Sequence, residues 1–410
     1  MVTFPNNNHN HHTTNDRKLQ SIIEVTRAIN SNFSKEQLLK IYGSILRNQL
    51  HFPRYAVYTA EAGGVLQREA FGGVSDEELS AIDIEEYLRK ISDPQEVYYL
   101  SDSSFSYFDA VIPVFHKSTA LAYVLVGNDI EDDTPEELRD DIRFIQALTN
   151  IIYVAFENKN LAREKLKQES IRKELELASE MQYMLLPGEF QRIPELEVDA
   201  FYKSHTEVGG DYYDFFQLTE DEYAICIADV SGKGISAALL MSNFQANIRA
   251  LYNYIPSLEE LAQILNRKVM DNAKGEKFIT AFLGRYNIRT HVLTYVNAGH
   301  NPPIMVLGSQ LEMLSEGSIG LGMLDELPFI KRIERKVEPG TLLVCYTDGL
   351  TDLENNDGKF FGLEALKEMI RDNRNLSPFE LTTCVLRQLQ MFKQDQPYKD
   401  DIAFLACRFH

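Results

Sequence analysis

A continuous helical pattern in the middle of the chain divides it into two parts. The pattern begins in the stretch "TPEE", where Thr134 is a suitable helix cap, the following Pro suits the first turn and Glu137 can close a capping box. A Pro-Gly step at residues 187–188 ends it. A helix of about 50 residues is roughly 75 Å long at 1.5 Å per residue, which is too long for the interior of one small domain. We therefore predict a helical linker over residues 134–187.

Apolar residues along this segment form an interrupted seam. They recur at helical spacings in two sets, Ile145, Leu148, Ile152 and Ala155, and then Ile171, Leu175, Ala178 and Leu185. A charged stretch separates the two sets. Such a seam favours a coiled coil with a second copy of the chain, and therefore a homodimer. A solvated single helix and two separate helices are the alternatives, because the seam is short.

The segments on either side of the linker differ in pattern. The chain has 410 residues, which favours two or three compact units. Residues 1–15 are rich in Asn and His and are predicted to be a disordered tail. Residues 16–133 show two amphipathic helices and then strand-like segments, which predicts a first domain of helix and sheet. Residues 188–410 alternate strand and helix patterns and have the size of one catalytic domain.

Composition excludes several classes of protein. The net charge of -20, from 61 acidic and 41 basic residues, repels nucleic acid, and no basic patch overrides it. The four cysteines form no C-x-x-C pair that would indicate a zinc or redox site, which fits a reducing cytoplasm. No apolar run is long enough to cross a membrane, and the N-terminus lacks the features of a signal peptide. We predict a cytoplasmic protein without a nucleic acid partner or membrane insertion.

Carboxylates stand at the ends of apolar, strand-like segments in the C-terminal half. Asp211 follows a Gly-Gly step, Asp229 ends the run in "YAICIADV", Asp348 follows "LLVCY", and Asp400 and Asp401 precede the last run. A single Asp at a strand end is ordinary turn chemistry. Four such acids brought together would repel one another unless a cation offset their charge. The pattern therefore predicts a metal site.

The types of ligand restrict the metal and the reaction. All candidate ligands are oxygens, and no His or Cys has zinc-like spacing, so we expect Mg²⁺ or Mn²⁺. Two such ions can share a water, lower its pKa and hold it in line with a phosphoryl group. Hydrolysis of a phosphate ester is the reaction that suits this chemistry.

Six segments of the C-terminal half form an ordered set: "VGGDYYDFF", "IADVSGKGISAALLMS", "FITAFLGRYN", "YVNAGHNPPI", "CYTDGLTDLENNDGKFFG" and "KDDIAFL". In this order they resemble the bacterial PPM-type (protein phosphatase 2C-like) serine/threonine phosphatases of the sporulation and sigma-factor-regulator branch. The resemblance covers about residues 195–410, and "ELELASEMQYMLLP" upstream resembles the helix that leads into the domain. It implies an α+β fold, an αββα sandwich with a binuclear Mn²⁺ or Mg²⁺ centre at one edge of two antiparallel sheets.

The resemblance also assigns the metal ligands. Asp211 and Asp229 would be shared around the two ions, and the carbonyl of Val230 would be a further ligand. Asp348 of "TDG" and Asp400 of "KDD" would complete the catalytic site. In this family a metal-activated water attacks phosphorus directly, without a phosphoenzyme.

Other residues of the motifs are expected to support the metal ligands or to lie near the substrate. Asp401 stands where many relatives outside this branch have Asn, so we expect it to support the ligands rather than bind metal. Asp214 is expected to orient the loop. His300 in "NAGHNPP" either shuttles a proton or is a hydrogen-bonded structural residue. No counterpart is found of the Arg that clamps the phosphate in eukaryotic relatives, and Lys233 is the nearest basic residue in a motif.

Glycines in the same motifs fit backbone that approaches ions or phosphate closely, and the alternative is that they are turn glycines. They are Gly209, Gly210, Gly232, Gly234 and Gly349.

Residues 16–156 resemble a GAF sensor domain less specifically. The resemblance rests on the order of the helices and on the strand-like segments "RYAVYTAEAG" and "ALAYVLVGN"; "EVYYLS" and "DAVIPVFH" are further predicted strands, and "KST" is a predicted hairpin turn. A PAS domain is the alternative. The sensor would respond to a small ligand or a protein signal that the sequence does not name.

Together these features predict a metal-dependent protein serine/threonine phosphatase regulated by an N-terminal sensor. Its substrate would be a phosphorylated partner protein, by family analogy an anti-sigma-factor antagonist of the STAS type. The sensor would change the pairing of the linker and so move "ASEMQYMLLP" against the phosphatase core. No nucleophilic Cys motif is present, which excludes a cysteine phosphatase mechanism. The alternative function is a noncatalytic scaffold that binds a phosphoprotein.

Overall fold

The computed structural model describes residues 8–60, 66–80, 88, 98–99, 107–116, 119–128, 135–190 and 193–410. Contacts between residues divide the chain into two compact units, residues 1–168 and 169–410. No helix in the described part of the chain is long and apolar enough to cross a membrane.

The first unit opens with two helices, α1 (Asn8–Asn30) and α2 (Lys35–Asn48). Ser34 and Gln37 cap α2 reciprocally, side chain to backbone, and so satisfy two amide groups that the helix leaves without partners. Both predicted helices are confirmed. Because α1 begins at Asn8, the segment predicted as a disordered tail, residues 1–15, is helical from that residue onward.

A five-stranded antiparallel sheet follows, with strand order β2-β1-β5-β4-β3. The strands are β1 (Arg54–Ala60), β2 (Leu66–Gly72), β3 (Tyr98–Tyr99), β4 (Ala110–His116) and β5 (Thr119–Gly127), and the short helix α3 (Asp76–Ser80) follows β2. One sheet face packs against α2 through residues such as Ile45, Val57 and Val124. The order of helices and sheet is as predicted, and the GAF or PAS identity stays a prediction. The hairpin turn predicted at residues 117–119 and the cap at Thr134 fall partly or wholly outside the described residues.

One helix, α4 (Pro135–Tyr183), contains 49 residues, as the central pattern predicted. Ile145, Leu148 and Ile152 are buried in the core of the first unit. Farther along, apolar side chains such as Leu166 and Ile171 are exposed. The alternative of two separate helices is therefore wrong, and pairing with a second copy stays a prediction.

The second unit is built on two sheets. The first has order β12-β11-β15-β16-β6, and the second has order β13-β10-β9-β8-β7 with β14 also paired to β10. The described pairings in these sheets are antiparallel except for the short pair β10 and β13. Their strands are β6 (Leu196–Lys203), β7 (Tyr212–Gln217), β8 (Glu222–Val230), β9 (Ile279–Asn287), β10 (Val292–Ala298), β11 (Ile304–Leu307), β12 (Gln310–Met313), β13 (Gly317–Ser318), β14 (Ile333–Lys336), β15 (Leu342–Tyr346) and β16 (Ile402–Phe409).

Helices cover the outer face of each sheet. Apolar residues of α5 (Ile235–Leu251) and α6 (Leu258–Ala273) share a core with the second sheet, and those of α8 (Leu363–Asp372) and α9 (Pro378–Lys393) share a core with the first. The central strands are consequently buried on both faces, and all five residues of β15 are buried. A short helix, α7 (Asp348–Thr351), follows β15. The predicted αββα sandwich is confirmed.

Candidate metal centre

Sheet register brings the predicted acids to one edge of the sandwich. Asp211 directly precedes β7, and Asp229 lies near the end of β8; these strands are antiparallel, with Tyr212 opposite Ala228. In the other sheet, Asp348 directly follows Thr347 after β15, and Asp400 lies two residues before β16. Antiparallel pairing places the end of one strand beside the start of its neighbour, so each sheet contributes two acids at one edge.

Asp211 is the most deeply buried of these acids. Its side chain is 2% exposed, and its Oδ2 atom makes no hydrogen bond to any described residue. Burial raises the pKa of Asp211 well above its ordinary value, and the charge of Asp229 raises it further, while the Thr347 side chain acts in the opposite direction. Within the described ranges, Oδ2 of this carboxylate has no cationic partner.

The pKa values of Asp229 and Asp348 are also raised, and burial is again the largest cause. Burial, followed by the charge of Asp348, raises the pKa of Asp229 to about 6. Burial and then the charge of Asp400 raise the pKa of Asp348. Clustered carboxylates resist ionisation in this way unless a cation lies among them, and a divalent ion would reverse the effect. The donor set, oxygen atoms only, fits Mg²⁺ or Mn²⁺.

The acids do not form a closed coordination shell as they stand. Within the described ranges, no group of three or more His, Cys, Asp or Glu side chains is arranged so that it could hold an ion. Asp400 instead pairs with Lys233, with 2.7 Å between Nζ and Oδ2. Binding of metal would therefore require side chains to rearrange, and Asp400 would have to leave Lys233.

Asp401 faces the backbone rather than the other acids. Its Oδ1 accepts the backbone N–H of His205 at 2.8 Å, and its Oδ2 accepts that of Gly210 at 2.6 Å. Both oxygens are thus used to hold the loop before Asp211 against the start of the last strand. This geometry supports the supporting role predicted for Asp401.

Both carboxylate oxygens of Asp214 also accept hydrogen bonds. Both of its oxygens accept from the Arg249 guanidinium, each at 2.6 Å, and the hydroxyl of Tyr212 also donates to it. Asp214 is fully buried at the interface of β7 and α5. The geometry supports a role in holding the strand after Asp211 and leaves no oxygen for metal.

At two positions in the motifs, steric contacts explain why the residue is glycine. A Cβ atom at Gly209 would lie 1.8 Å from the hydroxyl oxygen of Tyr202 and 2.3 Å from Oδ2 of Asp401, so only glycine fits. Gly232 has φ of +80°, a conformation that other residues rarely adopt, and a Cβ there would lie 2.5 Å from Nζ of Lys277. Val230 lies next to Gly210. A Cβ atom at Gly210 would be 3.1 Å from the carbonyl oxygen of Val230.

His300 lies behind the site. It is 5% exposed, and burial lowers its pKa to about 4, so the imidazole is neutral at pH 7. Its Nδ1 is 2.9 Å from Oγ1 of Thr280, the residue opposite Asp229 in the sheet. Its backbone N–H donates to Asn297. These contacts favour the structural role over the proton shuttle.

Sequence reasoning missed Gln182, in the last turn of α4. The side chain is buried, its Nε2 donates to the carbonyl of Gly209 at 2.6 Å, and its Oε1 accepts the N–H of Gly209 at 3.1 Å. A polar residue at helical spacing from Ala178 and Leu185 was a signal that could have identified it. His205, Tyr202, Thr347 and Lys277 were also missed, because their contacts with the motif residues are distant in sequence.

Residues 219–410 match the sequence model of the family described as stage II sporulation protein E (SpoIIE). The phosphoserine phosphatase RsbU of Bacillus subtilis is 29% identical over 244 residues, which cover 59% of this chain and 71% of RsbU. The protein IcfG of Synechocystis is 28% identical over 327 residues, which cover 72% of this chain and 51% of IcfG. This chain therefore spans about half the length of IcfG.

A solved structure shows the same fold. The SiaA-PP2C domain of Pseudomonas aeruginosa superposes with a TM-score of 0.51 at 23% sequence identity, covering 60% of this chain and 99% of that domain. The C-terminal unit accordingly has the PP2C fold.

Proposed function

We propose that this chain, whose C-terminal unit has the PP2C fold and matches the SpoIIE family model over residues 219–410, is a metal-dependent protein serine/threonine phosphatase. The observation that carries the proposal is the buried Asp211, whose Oδ2 has no partner among the described residues and which lies beside Asp229. An unpaired buried carboxylate is costly unless a cation binds it. Two related proteins, RsbU and RsbP of Bacillus subtilis, are named phosphoserine phosphatases.

Asp211, Asp229, Asp348, Asp400 and the carbonyl of Val230 would hold two ions, Mn²⁺ or Mg²⁺. When bound, the ions would lower the pKa of a water and neutralise charge on the phosphoryl oxygens. The protein's own contribution is to hold these oxygens at the ends of four elements whose positions the two sheets fix.

Lys233 offers a group for the phosphate. Its Nζ forms an ion pair with Asp400, and the side chain is half-exposed at the edge of the sandwich that carries the acids. Lys277 lies against Gly232 nearby. If Asp400 turned to metal, Lys233 would keep its hydrogen bond to the Lys399 carbonyl, and its ammonium group could donate to a phosphate oxygen in place of Asp400. This would supply the phosphate contact for which the sequence offers no arginine.

Three of the four cysteines do not offer an alternative nucleophile. Cys226, Cys345 and Cys407 are buried, and burial raises the pKa of each thiol. A buried thiol with a raised pKa is inert, because the thiolate is the reactive form. Direct attack by water, without a covalent intermediate, is the mechanism that the site favours.

The substrate would be phosphoserine or phosphothreonine on a partner protein. Asp348 and Asp400 are only partly buried, so a phosphate carried on another protein could reach them. A STAS-type anti-sigma-factor antagonist is the partner that the family suggests. The noncatalytic scaffold is the competing function and predicts phosphoprotein binding without turnover.

The test is hydrolysis of p-nitrophenyl phosphate and of a phosphorylated STAS protein by the full chain, with Mn²⁺, with Mg²⁺ and with chelator. Turnover should require the metal and fall at least a hundredfold in Asp211→Asn. Asp271→Asn, an exposed acid on α6, is the matched control and should retain full activity. Turnover that survives chelation would contradict the metal assignment, and metal-dependent binding of the phosphoprotein without turnover would establish the scaffold.

We further propose that the linker helix regulates the site through Gln182. Its side-chain amide holds Gly209, and the next residue, Gly210, is held by Asp401 just before Asp211. A shift of the last turn of α4 would therefore move the backbone that precedes a metal ligand. The exposed apolar residues Leu166 and Ile171 support the predicted homodimeric coiled coil as the source of such a shift.

A further inference from the structure

The N-terminal unit contains a cleft that the proposed phosphatase chemistry does not use. Its volume is about 440 Å³, and it is lined by the start of α2, strands β1, β2 and β5, and α4. Small-molecule sites commonly have volumes of about 300–1,000 Å³. The most buried polar side chains of its lining are those of Thr59, Glu69 and Tyr153.

Tyr153 supplies a hydrogen-bond donor without a partner. Its side chain is 5% exposed, and its hydroxyl makes no hydrogen bond to any residue that the structure describes. Burial raises the pKa of this hydroxyl, and the charge of Glu69 adds to the effect, so the group stays protonated at neutral pH. A buried hydroxyl left unpaired costs about 1–3 kcal/mol, and such a group indicates a bound ligand or an ordered water.

Glu69 supplies an acceptor near that donor. Its Oε1 accepts from Oγ1 of Thr59 at 2.7 Å and is paired with Lys35. No donor in the described part of the chain reaches Oε2. Glu69 and Tyr153 line the same cleft. The cleft thus presents an available carboxylate oxygen and an available hydroxyl.

The charges that line the cleft are balanced. Lys35, Lys159 and Arg163 are matched by Glu36, Glu69 and Glu157. A ligand with net negative charge, such as a nucleotide, would meet no surplus of positive charge, whereas a zwitterion would find a partner for each of its charges. Apolar surface is also present, from Phe33, Leu121 and Phe156.

We propose that this cleft binds a small zwitterion of the amino-acid class. Its ammonium group would bind Glu69, its carboxylate would accept from the Tyr153 hydroxyl, and its side chain would lie against Leu121 and Phe156. The site would give the N-terminal unit a small-molecule ligand. The proposal concerns binding within that unit and does not depend on phosphatase activity.

Calorimetry and thermal denaturation of the full chain with each of the twenty amino acids test the proposal. At least one amino acid should bind saturably and raise the unfolding midpoint. The matched amine, which lacks the carboxylate, and the matched acid, which lacks the amino group, should each bind at least tenfold more weakly, because both charges of the ligand are used.

Two variants locate the site. Glu69→Gln should weaken binding at least tenfold, and Tyr153→Phe, which keeps the ring and removes only the hydroxyl, should weaken it several-fold. Glu24→Gln, on α1 and outside the lining of the cleft, is the matched control and should leave the affinity unchanged. If Glu69→Gln does not fold, as judged by circular dichroism, Tyr153→Phe decides the assignment.

Three results would overturn the proposal. The first is that no amino acid binds, as expected if an ordered water alone satisfies Tyr153. The second is that an amino acid binds equally well to the wild type and to Tyr153→Phe. The third is that cyclic AMP or cyclic GMP binds in place of a zwitterion and loses affinity in Tyr153→Phe.

Discussion

The side-chain amide of Gln182 holds Gly209 at both polar groups of its backbone. Nε2 of Gln182 lies 2.6 Å from the Gly209 carbonyl oxygen, and its Oε1 lies 3.1 Å from the Gly209 nitrogen, although the residues are 27 positions apart. The last turn of a 49-residue helix is thereby joined to the loop that carries Asp211. The relationship gives the long helix a direct mechanical connection to the candidate metal centre.

Gln182→Ala should weaken Mn²⁺ binding, because the loop before Asp211 loses two buried hydrogen bonds. It should also lower the free energy of unfolding by roughly 1–3 kcal/mol, since both backbone groups of Gly209 are left unpaired. Calorimetry with Mn²⁺ and chemical denaturation measure the two effects. Gln168→Ala, an exposed residue of the same helix, should change neither. Unaltered Mn²⁺ affinity in Gln182→Ala would show that the helix does not act on the site through this contact.

Gly209→Ala should destabilise the C-terminal unit by about 1–3 kcal/mol or more, because the added methyl group overlaps the hydroxyl of Tyr202 and a carboxylate oxygen of Asp401. The double variant Gly209→Ala with Tyr202→Phe should recover part of that loss, since one of the two overlapping atoms is removed. A denaturation series on the wild type, both single variants and the double variant gives the coupling energy. Gly188→Ala, where a Cβ would meet nothing within 4 Å, is the control. A coupling energy of zero would contradict the close approach of Tyr202.

Arg249→Met should destabilise the fold without changing metal affinity. Asp214 is fully buried and would lose the guanidinium that donates to both of its oxygens, but Arg249 is 42% exposed, so solvent weakens the interaction. We expect a loss of about 1–3 kcal/mol in the free energy of unfolding and Mn²⁺ affinity within twofold of the wild type. A large loss of Mn²⁺ affinity in a variant that remains folded would indicate that Asp214 takes part in metal binding.

His300 should make stability depend on pH in a defined window. Its pKa is about 4 in the folded chain and about 6.5 when exposed, so the unfolded chain binds more protons between these values. The free energy of unfolding should consequently fall as the pH is lowered from 6.5 to 4, by roughly 2–3 kcal/mol for this residue. His300→Gln should show a shallower fall over the same range in urea denaturation. Equal slopes for the two proteins would mean that His300 titrates normally.

The predicted coiled coil can be tested by the mass of the chain in solution. Light scattering should give twice the mass of one chain for the wild type. Ile171→Lys, at an exposed apolar position of the second seam, should give the mass of a monomer, because a charge in the seam opposes pairing. Glu169→Lys introduces the same charge outside the seam and should remain a dimer. A monomeric wild type would leave α4 as a solvated single helix.

The sequence by itself determined the local elements and the residue types at their ends. Apolar spacing predicted the helices, including the 49 residues of α4, since this pattern joins residues a few positions apart. Apolar runs with an Asp at one end predicted the strands next to Asp211 and Asp348 and the strand that contains Asp229. Resemblance to a family then predicted the αββα sandwich. A local prediction that differs from the structure concerns residues 8–15, where a polar composition suggested disorder and the structure has helix.

Only the tertiary structure decided which partner each of these residues has. Asp401 and Gly210 are hydrogen-bonded across 191 positions, and Lys233 pairs with Asp400, because sheet register and packing bring distant segments together. No local pattern specifies such contacts, since the energy of each depends on burial that exists only in the folded chain. The same reason explains why the orphaned Tyr153 hydroxyl had no signature in the sequence. The sequence predicted the acids of the site, and the fold decided which of them bond to the backbone and which remain candidate ligands.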